Sequence, residues 1–233
     1  SDKAYLNELL AIVDEDIATT DGFDVQMQTN HLSHFLLTKL CFDLLENAAK
    51  THGEARIVNH SSIARKQVKS LEAAYLRKNG GNLGGNGASM FFGGGRWIRY
   101  GQTKLANATF TACLHEKLQA KGSKVRALVA HPGLAETDLQ STTVREGGMG
   151  EWFTRQLMKM GQSREDGALG ILTCIAHPNA QSGQFFGPGM GGMFTALKGT
   201  AKGYPLETSY DNPETRGILW ANSCVAVGEE FDI

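Results

Sequence analysis

Three short apolar runs, separated by long stretches with helical periodicity, constrain this chain more than any other feature. The runs are Arg56-Ile57-Val58-Asn59-His60, Val125-Arg126-Ala127-Leu128-Val129-Ala130 and Gln184-Phe185-Phe186. Between and before them lie helix-like segments. In 21–50, Val25, Leu32, Phe35, Leu36, Leu40, Leu44 and Leu45 recur at steps that suit a single apolar stripe, so one long helix is expected, broken at His52-Gly53. Residues 65–77 allow a helix. A second long one is expected from about Arg99 to Lys121, burying Leu105, Phe110, Cys113, Leu114 and Leu118. A third is expected from Arg164 to Ala176, with Ser163 as N-cap and acids in its first turn. Strands that alternate with helices of this length cannot close as hairpins and need crossovers. The expectation is an α/β, doubly wound parallel sheet with helices on both faces, ending at Gln184–Phe186. At 233 residues the chain suits one domain, 1–233.

Other segments carry less pattern. Asn79-Gly80-Gly81-Asn82-Leu83-Gly84-Gly85-Asn86-Gly87 is expected to be a mobile surface loop that packs no core. Gly187-Pro188-Gly189-Met190-Gly191-Gly192 has the glycine spacing of a phosphate loop, but no helix with a downstream acid follows it; a chance match or a flexible loop explains it better. The tail, 198–233, is polar and Gly-rich, a C-terminal extension without clear elements. With 23 basic and 24 acidic residues there is no basic stripe, so nucleic acid is not expected as a partner. Cys41, Cys113, Cys174 and Cys224 are widely spaced and match no zinc pattern, which suggests a reduced, intracellular protein with no metal site. No apolar run approaches the roughly 18 residues of a membrane span. The chain lacks an initiator methionine, and a longer precursor or a trimmed form is expected.

The chemistry concentrates on the second long helix. In Arg99-Tyr100-Gly101-Gln102-Thr103-Lys104-Leu105-Ala106-Asn107, Tyr100 and Lys104 are four residues apart and share a helix face. An ammonium beside a phenol favours phenolate and is expected to lower its pKa from about 10. Ser61 and Ser62 close the strand at 56–60, where a hydroxyl could hold a substrate oxygen while Tyr100 passes it a proton. His31, His34 and His60 are expected to be hydrogen-bonded packing residues.

Five ordered blocks carry a resemblance: Asp21-Gly22-Phe23-Asp24-Val25-Gln26, Thr29-Asn30-His31-Leu32-Ser33-His34-Phe35-Leu36-Leu37-Thr38, Arg56 to Ser62, Tyr100 to Asn107, and His131-Pro132-Gly133. The chain resembles the short-chain dehydrogenase/reductases, most closely their retinol-dehydrogenase-like branch, over about residues 20–139. The resemblance implies a Rossmann-like fold and hydride transfer between NAD or NADP and a carbinol or carbonyl carbon. It implies Tyr100 as acid/base, Lys104 as the residue that tunes it and holds the nicotinamide ribose, and Ser62 as the holder of the substrate oxygen. Asn30 would bend the central helix and anchor a water for proton relay. Pro132, Gly133 and Thr137 would lie against the nicotinamide.

Relatives of this kind open with a strand and a Gly-rich turn that meets the cofactor pyrophosphate. No such segment precedes Thr20, so the fold is expected to be N-terminally incomplete, by roughly two βαβ units of about 30 residues each. Where an Asn-Asn-Ala-Gly turn is expected, the chain has Val13-Asp14-Glu15-Asp16-Ile17, with acids where phosphate would lie. Two readings follow. One is an oxidoreductase acting on a lipophilic alcohol, aldehyde or ketone, with 140–162 as an apolar lid bearing Met149, Trp152, Phe153, Leu157, Met158 and Met160. The other is a non-catalytic structural or binding subunit of a larger assembly. A homodimer through the two long helices is a further expectation, with Phe110 and Leu114 either at that interface or facing the sheet.

Overall fold

The computed structural model describes residues 16–85, 94–135, 161–189 and 197–233. Its sheet has four strands in the order β1 (Ala55–His60), β2 (Val125–Ala130), β3 (Gln184–Gly187) and β4 (Lys202–Pro205). The first three are mutually parallel, and β4 returns antiparallel to β3. The expected parallel sheet is present, but Gln184–Phe186 is not its last strand. Lys202-Gly203-Tyr204-Pro205 is too short and polar to show an apolar pattern, and it pairs because Gly203 lets the Phe186 ring lie against it, where a Cβ would meet that ring at 3.0 Å. Register pairs His60 with Ala130, so β1 and β2 end side by side. Ser61 N–H donates to Ala130 O (2.8 Å) and His131 N–H to Phe186 O (2.9 Å), carrying the ladder into the loops where parallel sheets place their ligand sites.

Side chains alternate across the sheet. Ala127 and Val129 join the larger core with Leu105, Phe110 and Leu114, whereas Leu128 and Ala130 pack with Cys174 and Phe186. Helices therefore cover both faces. The long helix Gly95–Lys121 lies on the first face and Arg164–Ala176 on the second. The long helix is buried almost all round from Trp97 to Leu114, because the C-terminal helix Pro213–Val227 covers its outer side. Phe110 packs 6.1 Å from Trp220, centroid to centroid, and neither Phe110 nor Leu114 has any exposure. Those two side chains lie inside the chain's own core and are not offered to a second copy.

The expected continuous helix over 21–50 is in fact segmented: α1 (Val25–Met27), a π-helical turn (Gln28–Leu32), α2 (Ser33–Leu40) and α3 (Phe42–His52). Asp24 caps its start, accepting from Met27 N–H at 2.8 Å. The single stripe fails as well. Phe35, Phe42 and Ala49 are buried, but Leu40 and Leu44 are 64% and 68% exposed. A π turn inserts one residue and so rotates everything after it by about 100°, which throws a 3.6-residue stripe out of register. Residues 65–77 hold two 3₁₀ turns, Ile63–Gln67 and Ala73–Leu76, instead of a helix. The remaining helices are α4 (Gly95–Lys121), α5 (Arg164–Ala176) and α6 (Pro213–Val227).

The glycine tract is another correction. Leu83 N–H and Gly85 N–H each donate to the Asp16 carboxylate at 2.7 Å, and Leu83 packs against the main core. Gly84 and Gly85 lie on Gly95 so closely that a Cβ there would come within 2.6 Å of Gly85 O. Over 79–85 this segment is built into the start of α4; Asn86 and Gly87 lie outside the described residues.

Candidate active site

Tyr100 and Lys104 stand one turn apart on α4, 7% and 5% exposed, with Lys104 Nζ 5.4 Å from the Tyr100 ring centroid. The loop after β1 meets them. Ser62 caps the turn Ile63–Gln67, its Oγ accepting from Ala64 N–H at 3.2 Å, and it also hydrogen-bonds the Tyr100 hydroxyl. Gly101 permits this approach, since a Cβ there would lie 2.9 Å from Ala64 O. Ser61 does something else: fully buried, it donates to Lys104 O at 2.7 Å and fastens the strand end to the helix. Of the two hydroxyls, Ser62 is the one beside Tyr100.

Asn30 arrives from the π turn. Its Nδ2 donates to Thr103 Oγ1 at 3.1 Å, and that hydroxyl donates to Tyr100 O at 2.8 Å. Asn30, Ser62, Tyr100 and Lys104 are thus gathered by three elements that are distant in sequence. Pro132 and Gly133 follow β2. Gly133 has φ +69° and donates to His131 Nδ1 at 3.1 Å, while Gln162 Nε2 donates to Pro132 O at 2.7 Å. A Cβ on Gly133 would press on Pro188 at 2.9 Å, so glycine is needed both for the backbone and for the space. Thr137 lies outside the described residues, as do all the apolar residues named for the lid.

Burial dominates the electrostatics. The Tyr100 hydroxyl is pushed up to about 12 by desolvation, and only the hydrogen bond from Ser62 pulls it back. Lys104 is pushed down to about 8 by the same cause. The expected lowering of Tyr100 by Lys104 is therefore not met: the ammonium lies over the ring, 5.4 Å from its centroid, and the exclusion of water dominates. His60 is held at about 3 by burial and then by Lys104, and His34 is lowered in the same order of causes. His131 is also held at about 3, by burial and then by Arg65. These imidazoles are neutral at pH 7, and no carboxylate pairs with Lys104 among the described residues. Its ammonium, with a pKa near the working pH, is set to meet a hydroxylated or electron-rich ligand.

Several supporting residues escaped the sequence reading. Arg65, 2% exposed, donates to Ser62 O at 3.0 Å, pairs with Glu207 Oε1 at 2.8 Å and stacks 4.2 Å over the Phe185 ring. It ties the serine loop to the segment after β4, and no spacing in the sequence announces it. Asn107 donates to both Asn30 O (3.0 Å) and His60 O (2.9 Å). Its place in the Tyr100–Asn107 block was the available signal. The two glycine motifs make protein contacts where they are described. The tract's amides serve Asp16, and Gly187 is a strand end against which the His131 ring packs.

Comparison with known proteins bears on this arrangement. Retinol dehydrogenase 11 of Homo sapiens is 33% identical over 156 residues, 67% of this chain and 42% of that protein. The human polyprenol dehydrogenase is 29% identical over 215 residues, 90% of this chain and 56% of its own length. The chloroplastic short-chain dehydrogenase TIC 32 A of Brassica napus is 35% identical over 131 residues, 56% of this chain and 37% of that one. The chain is similar to short-chain dehydrogenases, including members of the retinol-dehydrogenase-like branch. A crystal structure of an uncharacterized protein from Mycobacterium paratuberculosis has the same fold, with a TM-score of 0.58 and 27% identity over 92% of this chain and 63% of that one. No family model matches the chain. The chain spans between 37% and 56% of the length of these three curated relatives. Among the described residues, no helix is long and apolar enough to cross a membrane.

Proposed function

We propose that the protein is an NAD(P)-dependent oxidoreductase that interconverts a lipophilic alcohol and its aldehyde or ketone. The observation that carries this reading is the convergence of the Ser62 and Tyr100 hydroxyls beside the buried Lys104 ammonium, with Asn30 tied to the same turn of α4. The relatives named for retinol and polyprenol support a lipophilic substrate. The four free thiols suit a reducing, intracellular compartment.

The described residues fit one end of the cofactor. Lys104 is a buried ammonium with no carboxylate beside it, which ribose hydroxyls would satisfy, and Tyr100 adjoins it. The Pro132-Gly133 loop would take the nicotinamide. When bound, that ring supplies the hydride or accepts it. Tyr100 does the proton chemistry. With its hydroxyl raised to about 12 it is protonated at pH 7, the state needed to give its proton to the oxygen of a carbonyl being reduced. Ser62 holds that oxygen through its own hydroxyl, and Asn30 fixes the helix turn from which Tyr100 projects.

The test is the change in nicotinamide absorbance when the protein meets NADPH or NADH with a lipophilic aldehyde. Tyr100→Phe should lower turnover by roughly 10²–10⁴-fold while the protein stays folded. No turnover with either cofactor overturns the proposal and leaves the reading of a binding subunit, whereas full turnover in Tyr100→Phe overturns the role of Tyr100 as the acid/base.

A further inference from the structure

Behind Asn30 the buried side chains form a hydrogen-bonded chain whose direction can be assigned by counting protons. Asn107 Nδ2 has two hydrogens, and both go to backbone carbonyls, Asn30 O at 3.0 Å and His60 O at 2.9 Å. Asn107 Oδ1 can then only accept, and its partner is His31 Nδ1 at 3.2 Å. His31 is neutral at pH 7, since burial lowers its pKa to about 4, so its one ring proton lies on Nδ1. Its Nε2 must accept, and the Ser223 hydroxyl lies 2.9 Å away. Ser223 belongs to α6, and like His31 it has no exposure. The Phe110 ring, edge-on at 5.7 Å, holds the imidazole plane. Donation therefore runs one way, from the C-terminal helix through His31 and Asn107 to the carbonyl of Asn30.

That carbonyl lies in the π turn Gln28–Leu32, where the backbone leaves the α-helical register and needs outside partners. We propose that His31 is a positioning residue: held in its Nδ1–H form by Ser223, it orients Asn107 and so keeps Asn30 turned toward Thr103 and Tyr100. The C-terminal helix is on this account a working part of the site's scaffold. The link from Asn30 to proton transfer rests on the proposed function; the link from Ser223 to the π turn does not.

The experiment uses histidine labelled with ¹³C and ¹⁵N, with Ser223→Ala as the variant and Leu219→Val, which has no hydrogen-bonding group to offer His31, as a packing control on the same helix. Expected in the unmodified protein is a single Nδ1–H tautomer for His31. In Ser223→Ala a mixture of tautomers should appear, with amide exchange at 30–32 faster by about tenfold and kcat lower by about tenfold at unchanged KM, the scale of one lost hydrogen bond. Leu219→Val should lower Tm and leave the His31 signals where they were. An Nε2–H tautomer in the unmodified protein, an unmoved spectrum in Ser223→Ala, or an equal shift in Leu219→Val overturns the inference. If the unmodified protein shows no turnover, the proposed function fails, and the imidazole spectrum still decides the scaffold.

Discussion

Two buried polar clusters flank Tyr100 on the long helix, and they hold by opposite means. On the N-terminal side Arg99, without exposure, lies 3.4 Å from Asp24 Oδ2 and 3.8 Å from Asp16 Oδ2, and donates to Gly85 O. On the other side Asn107, His31 and Ser223 carry no net charge and are held by the direction of their hydrogen bonds. The charged cluster anchors pieces: Asp24 caps α1, and Asp16 gathers the glycine tract. Its members depend on each other because each neutralises a desolvated neighbour. Burial raises the Asp24 carboxyl above its ordinary value, and Met27 N–H and Arg99 pull it back. The neutral cluster sets an orientation instead. An anchor is needed where a loop must be fixed to a helix, and a directed chain where one carbonyl must face one way.

Removing one charge should have the largest effect. Arg99→Met leaves Asp24 and Asp16 buried without their cation and should cost about 3–5 kcal/mol in urea denaturation. A loss below about 1 kcal/mol in that measurement would mean that the cluster is effectively solvated. Asn107→Leu should cost less, about 1–3 kcal/mol, because it strips partners from two buried carbonyls without stranding a charge. The same denaturation series ranks the two, and the reverse order would break the comparison.

Acid should separate the clusters by sign. His31 at about 4 and His131 at about 3 lie below the ordinary histidine value, so as pH falls the unfolded chain takes up protons first. Stability is then lost as pH drops from about 6.5 toward 4, by up to about 1.4 kcal/mol per pH unit for each of these histidines. Asp24 acts the other way. Its raised pKa contributes stability at low pH that is lost as pH rises through its folded value. Thermal unfolding between pH 4.5 and 7.5 should show a falling Tm on acidification, and a flat profile would remove the neutral histidines from the account.

Much of this was legible in the residues. β1, β2 and the span of α4 follow from local apolar pattern, and the strand ends located Ser61 and Ser62. What was hidden depends on partners far along the chain. The π turn cannot be seen in a periodicity that assumes 3.6 residues per turn, so Leu40 and Leu44 were assigned to the wrong side. The glycine tract looks unpackable until Asp16, 67 residues earlier than Leu83, supplies an acceptor. The helix α6 did carry its signals: Asn212 at the N-cap, Pro213 and Glu214 in the first turn, and Gly228 at φ +73° after the end. They were outweighed by the polar composition of the tail. The Tyr100–Lys104 spacing located the chemistry, but the sign of the Tyr100 shift depends on burial, which no spacing reveals.

The most direct test of the site is cofactor binding followed by nicotinamide fluorescence, with Lys104→Met set against the unmodified protein and Lys124→Met, an exposed lysine just before β2, as the control. The account expects saturable binding of NADPH or NADH that weakens by about tenfold or more in Lys104→Met, the scale of one lost charged hydrogen bond, and is unchanged in Lys124→Met. Binding of equal strength in Lys104→Met, or no binding of either nucleotide, would contradict it.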